Sequence, residues 1–174
     1  MSGAGVPLVR FGRTGLQVSR LALGTMTFGL QTDEPTSRAI LDKAVASGIT
    51  FIDTANRYPS GGTHETAGRT EEIIGRWLRD GGAARRGRLV VATKAGGDMG
   101  PNPWDRGTSR RHLLEAVDAS LKRLQLDCVD LYQLHQDDRA TPLDETLEAL
   151  DTIVRSGRAR YVGVSNMLAW RLAR

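Results

Sequence analysis

The sequence predicts an α/β fold: the first five strand–helix units of a partial (β/α)8 TIM barrel, with an N-terminal β-hairpin. Three observations carry this. Apolar runs of strand length alternate five times with stretches of helical period. The runs are apolar along their whole length, as strands of a parallel sheet covered by helices are. Polar residues stand at or beside the ends of these runs: Asp53, Lys94, His135, and the pair Ser165 and Asn166. The C-terminal strand ends are where barrels gather functional groups.

The hairpin comes first. Residues 9–18 alternate around a turn that bears Gly12 and Gly15, the pattern of two short strands. It is placed to plug the bottom of a barrel. The first apolar run spans 21–25, and a helix follows from near Pro35, with Ile40, Leu41, Ala44 and Val45 on one face and a stop at Gly48. The second run spans 49–54. After a Gly-rich loop, residues 71–79 have helical period, with Ile73, Ile74, Trp77 and Leu78 on one side.

The third run spans 89–94. Its helix takes Ser109 as N-cap and Leu113, Val117, Leu121 and Leu124 as its apolar stripe. The fourth run spans 128–135. Thr141 and Pro142 read as N-cap and first residue of the next helix, with Leu147, Leu150, Ile153 and Val154 turned inward and Gly157 at the end. The fifth run spans 159–164, and Ser165-Asn166 opens another helical pattern.

Two other α/β architectures compete with the barrel. A dinucleotide-binding doubly wound sheet should show Gly-x-Gly-x-x-Gly after its first strand. Here the chain runs Gly24-Thr25-Met26-Thr27-Phe28-Gly29. A flavodoxin-like sheet also needs only five units, so counting alone leaves it open. The clustering of polar residues at strand ends favours the barrel. A complete barrel has eight units and about 250 residues, whereas this chain has 174 residues and stops inside a helical pattern at 170–174. The expectation is one domain over 1–174, incomplete at its C-terminus, with two bare sheet edges through which copies could associate.

Composition is that of a globular chain, 40% hydrophobic and 25% charged. The single cysteine, Cys128, excludes an intramolecular disulfide and fits a reducing cytoplasm; within an apolar run it reads as a small buried hydrophobe. No window is apolar enough to span a membrane. Residues 1–7 lack a charged start followed by an apolar run, so no leader is expected. The net charge is +4, and only Lys43, Lys94 and Lys122 are lysines. The arginines are scattered among acids. Their densest cluster, Arg85, Arg86 and Arg88, reads as a solvated loop without aromatic neighbours, which argues against nucleic acid and would equally serve a phosphate-bearing ligand. His64, His112 and His135 fall on different units, so no metal site is expected.

The strand-end residues suit one chemistry. A tyrosine, with its ordinary pKa of about 10, holds its proton at neutral pH and becomes a better donor beside a cation. Tyr58 is that tyrosine, Lys94 the cation, and Asp53 the anion that holds the ammonium in place. His135 can donate a hydrogen bond to an oxygen gaining negative charge. Such a set fits a reaction in which a carbonyl becomes an alkoxide and is protonated, as in hydride transfer from a nicotinamide.

These residues also carry a resemblance. Phe51-Ile52-Asp53-Thr54-Ala55-Asn56-Arg57-Tyr58 resembles the aldo-keto reductase signature, and Ala92-Thr93-Lys94 its lysine strand. Asp130-Leu131-Tyr132-Gln133-Leu134-His135 resembles its histidine strand, Val162-Gly163-Val164-Ser165-Asn166 its cofactor-amide strand, and Gly24-Thr25-Met26 the turn bordering the nicotinamide. The match runs in order from about Val9 to the last residue. It implies a cytoplasmic NADPH-dependent oxidoreductase acting on a small-molecule carbonyl. Tyr58 would be the proton donor, Lys94 and Asp53 its tuning pair, and His135 the carbonyl-orienting group. Ser165 and Asn166 would hold the carboxamide, with Gly24, Thr25 and Asp53 nearby. The family's remaining cofactor contacts lie on three further strands that this sequence lacks.

Glu71-Glu72-Ile73-Ile74-Gly75-Arg76-Trp77-Leu78, Gly97-Asp98-Met99-Gly100 and Asp138-Arg139-Ala140-Thr141-Pro142 resemble bacterial sugar-directed members. Nucleotide-diphosphohexose reductases of antibiotic deoxysugar biosynthesis are similar among them, some of which reduce a keto-enol or enoyl sugar. Where those members often place a second histidine, this chain has Gln136. The competing expectation is a non-catalytic binding or regulatory protein, or an inactive remnant, on a truncated reductase scaffold.

Overall fold

The computed structural model describes residues 5–173. The absence of a leader, expected over 1–7, therefore concerns in its first four residues a segment outside the described chain, and Arg174 lies outside it too. A two-stranded antiparallel hairpin, β1 (Leu8–Arg10) and β2 (Gln17–Ser19), pairs Val9 with Val18. It is followed by a five-stranded parallel sheet: β3 (Ala22–Gly24), β4 (Phe51–Asp53), β5 (Val90–Ala95), β6 (Val129–Leu134) and β7 (Ala159–Val164). Between the strands run α1 (Glu34–Ala46), α2 (Arg69–Arg86), α3 (Arg110–Leu124) and α4 (Leu143–Arg155), and a short α5 (Ala169–Leu172) follows β7.

Spatial order equals chain order, β3-β4-β5-β6-β7. A flavodoxin-like sheet reverses direction at a switch point; this one does not. The structure is an arc of a (β/α) barrel. The hairpin lies at the N-terminal ends of the strands, where Phe11 meets Phe51 edge-on at 5.7 Å between ring centroids. No helix among the described residues is long and apolar enough to cross a membrane.

The core lies between the sheet and its helices. Ile52, Val91, Tyr132 and Leu134 turn outward onto Leu41, Ile74, Trp77, Leu113, Val117, Leu124 and Ile153. Helices α2 and α3 touch through Gly75, where a Cβ would sit 2.2 Å from the Arg123 carbonyl oxygen. Beside this contact the fully buried Glu71 carboxylate accepts from Thr93 Oγ1 at 2.5 Å and from Arg123 Nε at 2.7 Å, which satisfies a charge that burial would otherwise penalise.

Several expected details shift. Helix α1 starts at Glu34 with Asp33 as N-cap, which accepts from the Thr36 amide at 2.9 Å. Helix α2 runs beyond 71–79 at both ends and is broken at Gly82, whose φ is 62°. Arg85 and Arg86 therefore lie in a helical segment, and Arg85 stacks over Trp77 at 4.3 Å, so the arginine cluster does have an aromatic neighbour. Ile40 and Leu147, expected inward, are exposed. Both lie on flanks turned away from the neighbouring helix: α1 meets α2 through Glu34, Arg38 and Asp42, and α4 meets α3 through Glu145 and Thr152. Helix α4 takes Pro142 rather than Thr141 as its cap, and the pattern opened by Ser165 becomes helical only at Ala169. Cys128 is half-buried just before β6, and burial pushes its thiol pKa up.

Candidate active site

Parallel register sets neighbouring strand ends side by side. Gly24 pairs with Asp53, Asp53 with Ala92, and Lys94 with Gln133. Alternation sends Thr93 and Tyr132 to the helices, where Thr93 reaches Glu71 and the Tyr132 hydroxyl donates to the Leu113 carbonyl. The same alternation sends Asp53, Lys94 and Gln133 to the concave face. Lys94 is 6% exposed. Its Nζ donates to Asp53 Oδ2 at 2.6 Å and to the Thr54 carbonyl at 3.0 Å. An ammonium has three N–H groups, so one remains.

Tyr58 arrives from the loop between β4 and α2. Its amide donates to the Ala55 carbonyl, and its own carbonyl accepts from Gly68. The ring lies 5.1 Å from Lys94 Nζ and meets the His135 ring edge-on at 5.4 Å, centroid to centroid. The His135 amide donates to the Ala95 carbonyl at 2.7 Å, which holds the end of β6 to β5. Burial, aided by the Lys94 charge and partly offset by Asp53, pushes the His135 imidazole below its ordinary pKa of 6.5. The structure thus brings Asp53, Tyr58, Lys94 and His135 together.

The expected cofactor residues lie around them. Thr25 is fully buried, and both its amide and its hydroxyl donate to the Asp53 carbonyl, at 3.1 and 2.9 Å. The Ser165 amide donates to the Leu134 carbonyl at 2.7 Å. Asn166 sits at a left-handed φ of 52°, a conformation asparagine tolerates better than most residues. Its Nδ2 donates to the His135 carbonyl at 2.9 Å and to Ser165 Oγ at 3.1 Å. One of the largest cavities, about 650 Å3, lies at the other end of the strands between the hairpin, Val90, Asp130 and Arg160.

One residue escaped the sequence reading. Gln133 donates through Nε2 to Asp53 Oδ1 at 3.1 Å, the carboxylate oxygen that Lys94 does not take. Its position opposite Lys94 was the available signal: a lone amide in an apolar strand, on the face that carries the ammonium.

Comparison with known proteins gives the family. Residues 20–174 match the Aldo/keto reductase family. The chain is 49% identical over 168 residues to an uncharacterized oxidoreductase, YrpG, of Bacillus subtilis, covering 94% of this chain and 50% of that protein. It is 44% identical over 156 residues to the L-glyceraldehyde 3-phosphate reductase of Escherichia coli K12, covering 89% and 44%. It is 40% identical over 163 residues to a probable voltage-gated potassium channel subunit beta of Oryza sativa, covering 92% and 47%. The chain spans about half the length of these curated relatives. By sequence match, strand order and strand-end chemistry, it belongs to the aldo/keto reductase family.

Proposed function

We propose that residues 1–174 form the first part of a single NADPH-dependent oxidoreductase domain that reduces a carbonyl, with Tyr58 as proton donor. In this reading the open edges β3 and β7 are where further strands, of the same polypeptide or of another copy, close the barrel. The observation that supports it is the placement of the Lys94 ammonium, 2.6 Å from Asp53 Oδ2 and 5.1 Å from the Tyr58 ring, beside His135.

The residues present fit the carboxamide end of a nicotinamide. Asn166 spends its Nδ2 on His135 and Ser165, which leaves its Oδ1 to accept. The Ser165 hydroxyl accepts from Asn166 and keeps its own proton to donate. One acceptor beside one donor complements a primary amide. At Gly24, opposite Asp53, a side chain would meet nothing within 4 Å, so the backbone there is open to close approach.

A bound nicotinamide supplies the hydride to the carbonyl carbon. Tyr58 gives its proton to the carbonyl oxygen. The Lys94 ammonium stabilises the phenolate left behind, and Asp53 with the Thr54 carbonyl fixes the ammonium in position. His135, neutral near pH 7 because burial and Lys94 disfavour its cation, donates one N–H to the oxygen and adds no competing charge.

For the substrate we propose a sugar carbonyl, with a nucleotide-linked keto- or enoyl-deoxysugar as the case to test first. The motifs over 71–78, 97–100 and 138–142 support it. The test is titration of the purified chain with NADPH, and in parallel NADH, followed by cofactor fluorescence and carbonyl turnover. Where the chain binds NADPH and turns over, Tyr58→Phe is expected to abolish reduction and leave binding intact. No NADPH binding at about 1 mM overturns the claim that these residues act as an enzyme by themselves and leaves the non-catalytic alternative. Loss of binding in Tyr58→Phe overturns the role of that residue.

A further inference from the structure

Tyr58 stands near the start of the loop between β4 and α2, and the bonds that hold this loop are unevenly spread. At its base the Tyr58 carbonyl accepts from the Gly68 amide at 3.0 Å. One residue past Pro59, the Ser60 amide donates to the Met26 carbonyl at 2.8 Å, and Gln31 Nε2 donates to the Ser60 carbonyl at 2.9 Å. These tie the loop to the segment after β3. From Gly61 to Ala67 the backbone makes only short turns of its own, such as the Thr66 and Ala67 amides on the Thr63 carbonyl.

Side chains supply the rest. His64 Nε2 lies 3.1 Å from Asp98 Oδ1, with both side chains close to half exposed. The other contact comes from Arg57, which is half-buried and precedes Tyr58 directly. Its Nη2 donates to the Gly62 carbonyl at 2.9 Å and its Nη1 to the Thr63 carbonyl at 3.3 Å. One planar fork therefore takes two consecutive carbonyls, a geometry that the compact head of a lysine does not reproduce. The Arg57 stem is seated as well: a Cβ on Gly97 would lie 3.3 Å from Arg57 Cβ and 3.4 Å from its Cγ. Among the described residues its side-chain hydrogen bonds go to backbone alone, and charge-assisted bonds of this kind are stronger than neutral ones.

The strap starts at residue 57 and ends at residues 62 and 63, so Tyr58 lies inside the ring that it closes. Opening that ring returns backbone freedom to the residues within it. The Tyr58 ring is placed narrowly, 5.1 Å from Lys94 Nζ and edge-on to His135 at 5.4 Å between centroids. A proton donor displaced by about 1 Å can lose most of its effect on rate.

We propose that Arg57 is a positioning residue for Tyr58: its guanidinium, bridging the Gly62 and Thr63 carbonyls, holds the turn that keeps the phenol beside Lys94 and His135. The inference rests on the role proposed above for Tyr58. Arg57 transfers no proton itself and acts through the loop.

The test has one arm that needs no turnover. The chain has three tyrosines and three histidines, so their ring signals can be assigned by NMR. Nuclear Overhauser contacts between the Tyr58 and His135 rings are expected in the unmodified chain. Arg57→Ala is expected to remove them, and about 50 mM guanidinium, against sodium chloride as the ionic control, to restore them. Where the chain reduces a carbonyl, Arg57→Ala is expected to lower kcat by about ten- to hundredfold with the KM for NADPH unchanged, and guanidinium to recover most of the loss. Arg57→Lys keeps the charge without the fork. It is expected to weaken the ring contacts and kcat in the same sense, and it decides the matter if Arg57→Ala does not fold. Ring contacts that persist in whichever variant folds overturn the proposal. So does a loss that guanidinium leaves unchanged in Arg57→Ala, or a change confined to KM. A chain that shows the ring contacts, their loss and their rescue, yet no turnover with NADPH, counts against the proposed activity and not against Arg57 as the residue that holds Tyr58.

Discussion

Gln133 and Asp53 share one hydrogen bond, Nε2 to Oδ1 at 3.1 Å, which leaves the other carboxylate oxygen to Lys94. The carboxylate is clamped from both sides, so its orientation toward the ammonium does not depend on the ion pair alone.

Gln133→Leu keeps the volume and removes the clamp. A hydrogen bond to a charged group contributes about 1.5–3 kcal/mol, and part of that is recovered by solvent because Asp53 is only half-buried. In the proposed reaction, carbonyl reduction is expected to slow about tenfold, or 1.4 kcal/mol, with little change in the KM for NADPH. Steady-state kinetics check it; a wild-type kcat would show that Lys94 alone sets the carboxylate.

Acid should weaken the fold in a defined window. Burial pushes His112 and His135 below their ordinary value of 6.5. Between the folded pKa and 6.5 the unfolded chain binds more protons, so stability rises with pH through that window and is lost as pH falls. Glu34 and Asp138 are held below their ordinary 4.5 and 3.8, so they act lower on the scale. Urea unfolding should give a plateau above about pH 7.5 and a decline below about 6.5. The decline should be shallower in His112→Gln; an unchanged slope would remove His112 from the account.

Gly75→Ala should separate two helices. The new Cβ would stand 2.2 Å from the Arg123 carbonyl oxygen and 2.8 Å from the Leu124 carbonyl carbon, both backbone atoms that cannot rotate away. A loss of about 1–3 kcal/mol is expected, read as a lower urea midpoint at constant m. Gly15→Ala, where a Cβ meets nothing within 4 Å, is the control and should stay within about 0.5 kcal/mol.

Legibility followed local physics. Strand ends could be read because an apolar run that stops at Asp53, Lys94 or His135 states both burial and its limit. Helical faces were read from period, but period does not say which neighbour covers a stripe. Ile40 and Leu147 therefore looked inward although the first and fourth helices turn those flanks away from α2 and α3. The helical period was read only over 71–79, yet the chain turns at Gly82 and resumes helix, taking Arg85 back over Trp77. Glu71 gave no sign of burial: its partners, Thr93 and Arg123, lie 22 and 52 residues along the chain, and only the assembled layers bring them together.

The unbroken strand order has a consequence for synthesis. Each strand joins the edge that its predecessor has just exposed, so no unit waits for a later one to be inserted beside it. Contacts then form between recent neighbours, the arrangement in which a chain emerging from the ribosome can fold as it lengthens. Asp53, Tyr58, Lys94 and His135 all precede residue 136. The four side chains that meet at the strand ends can therefore be brought together early in translation.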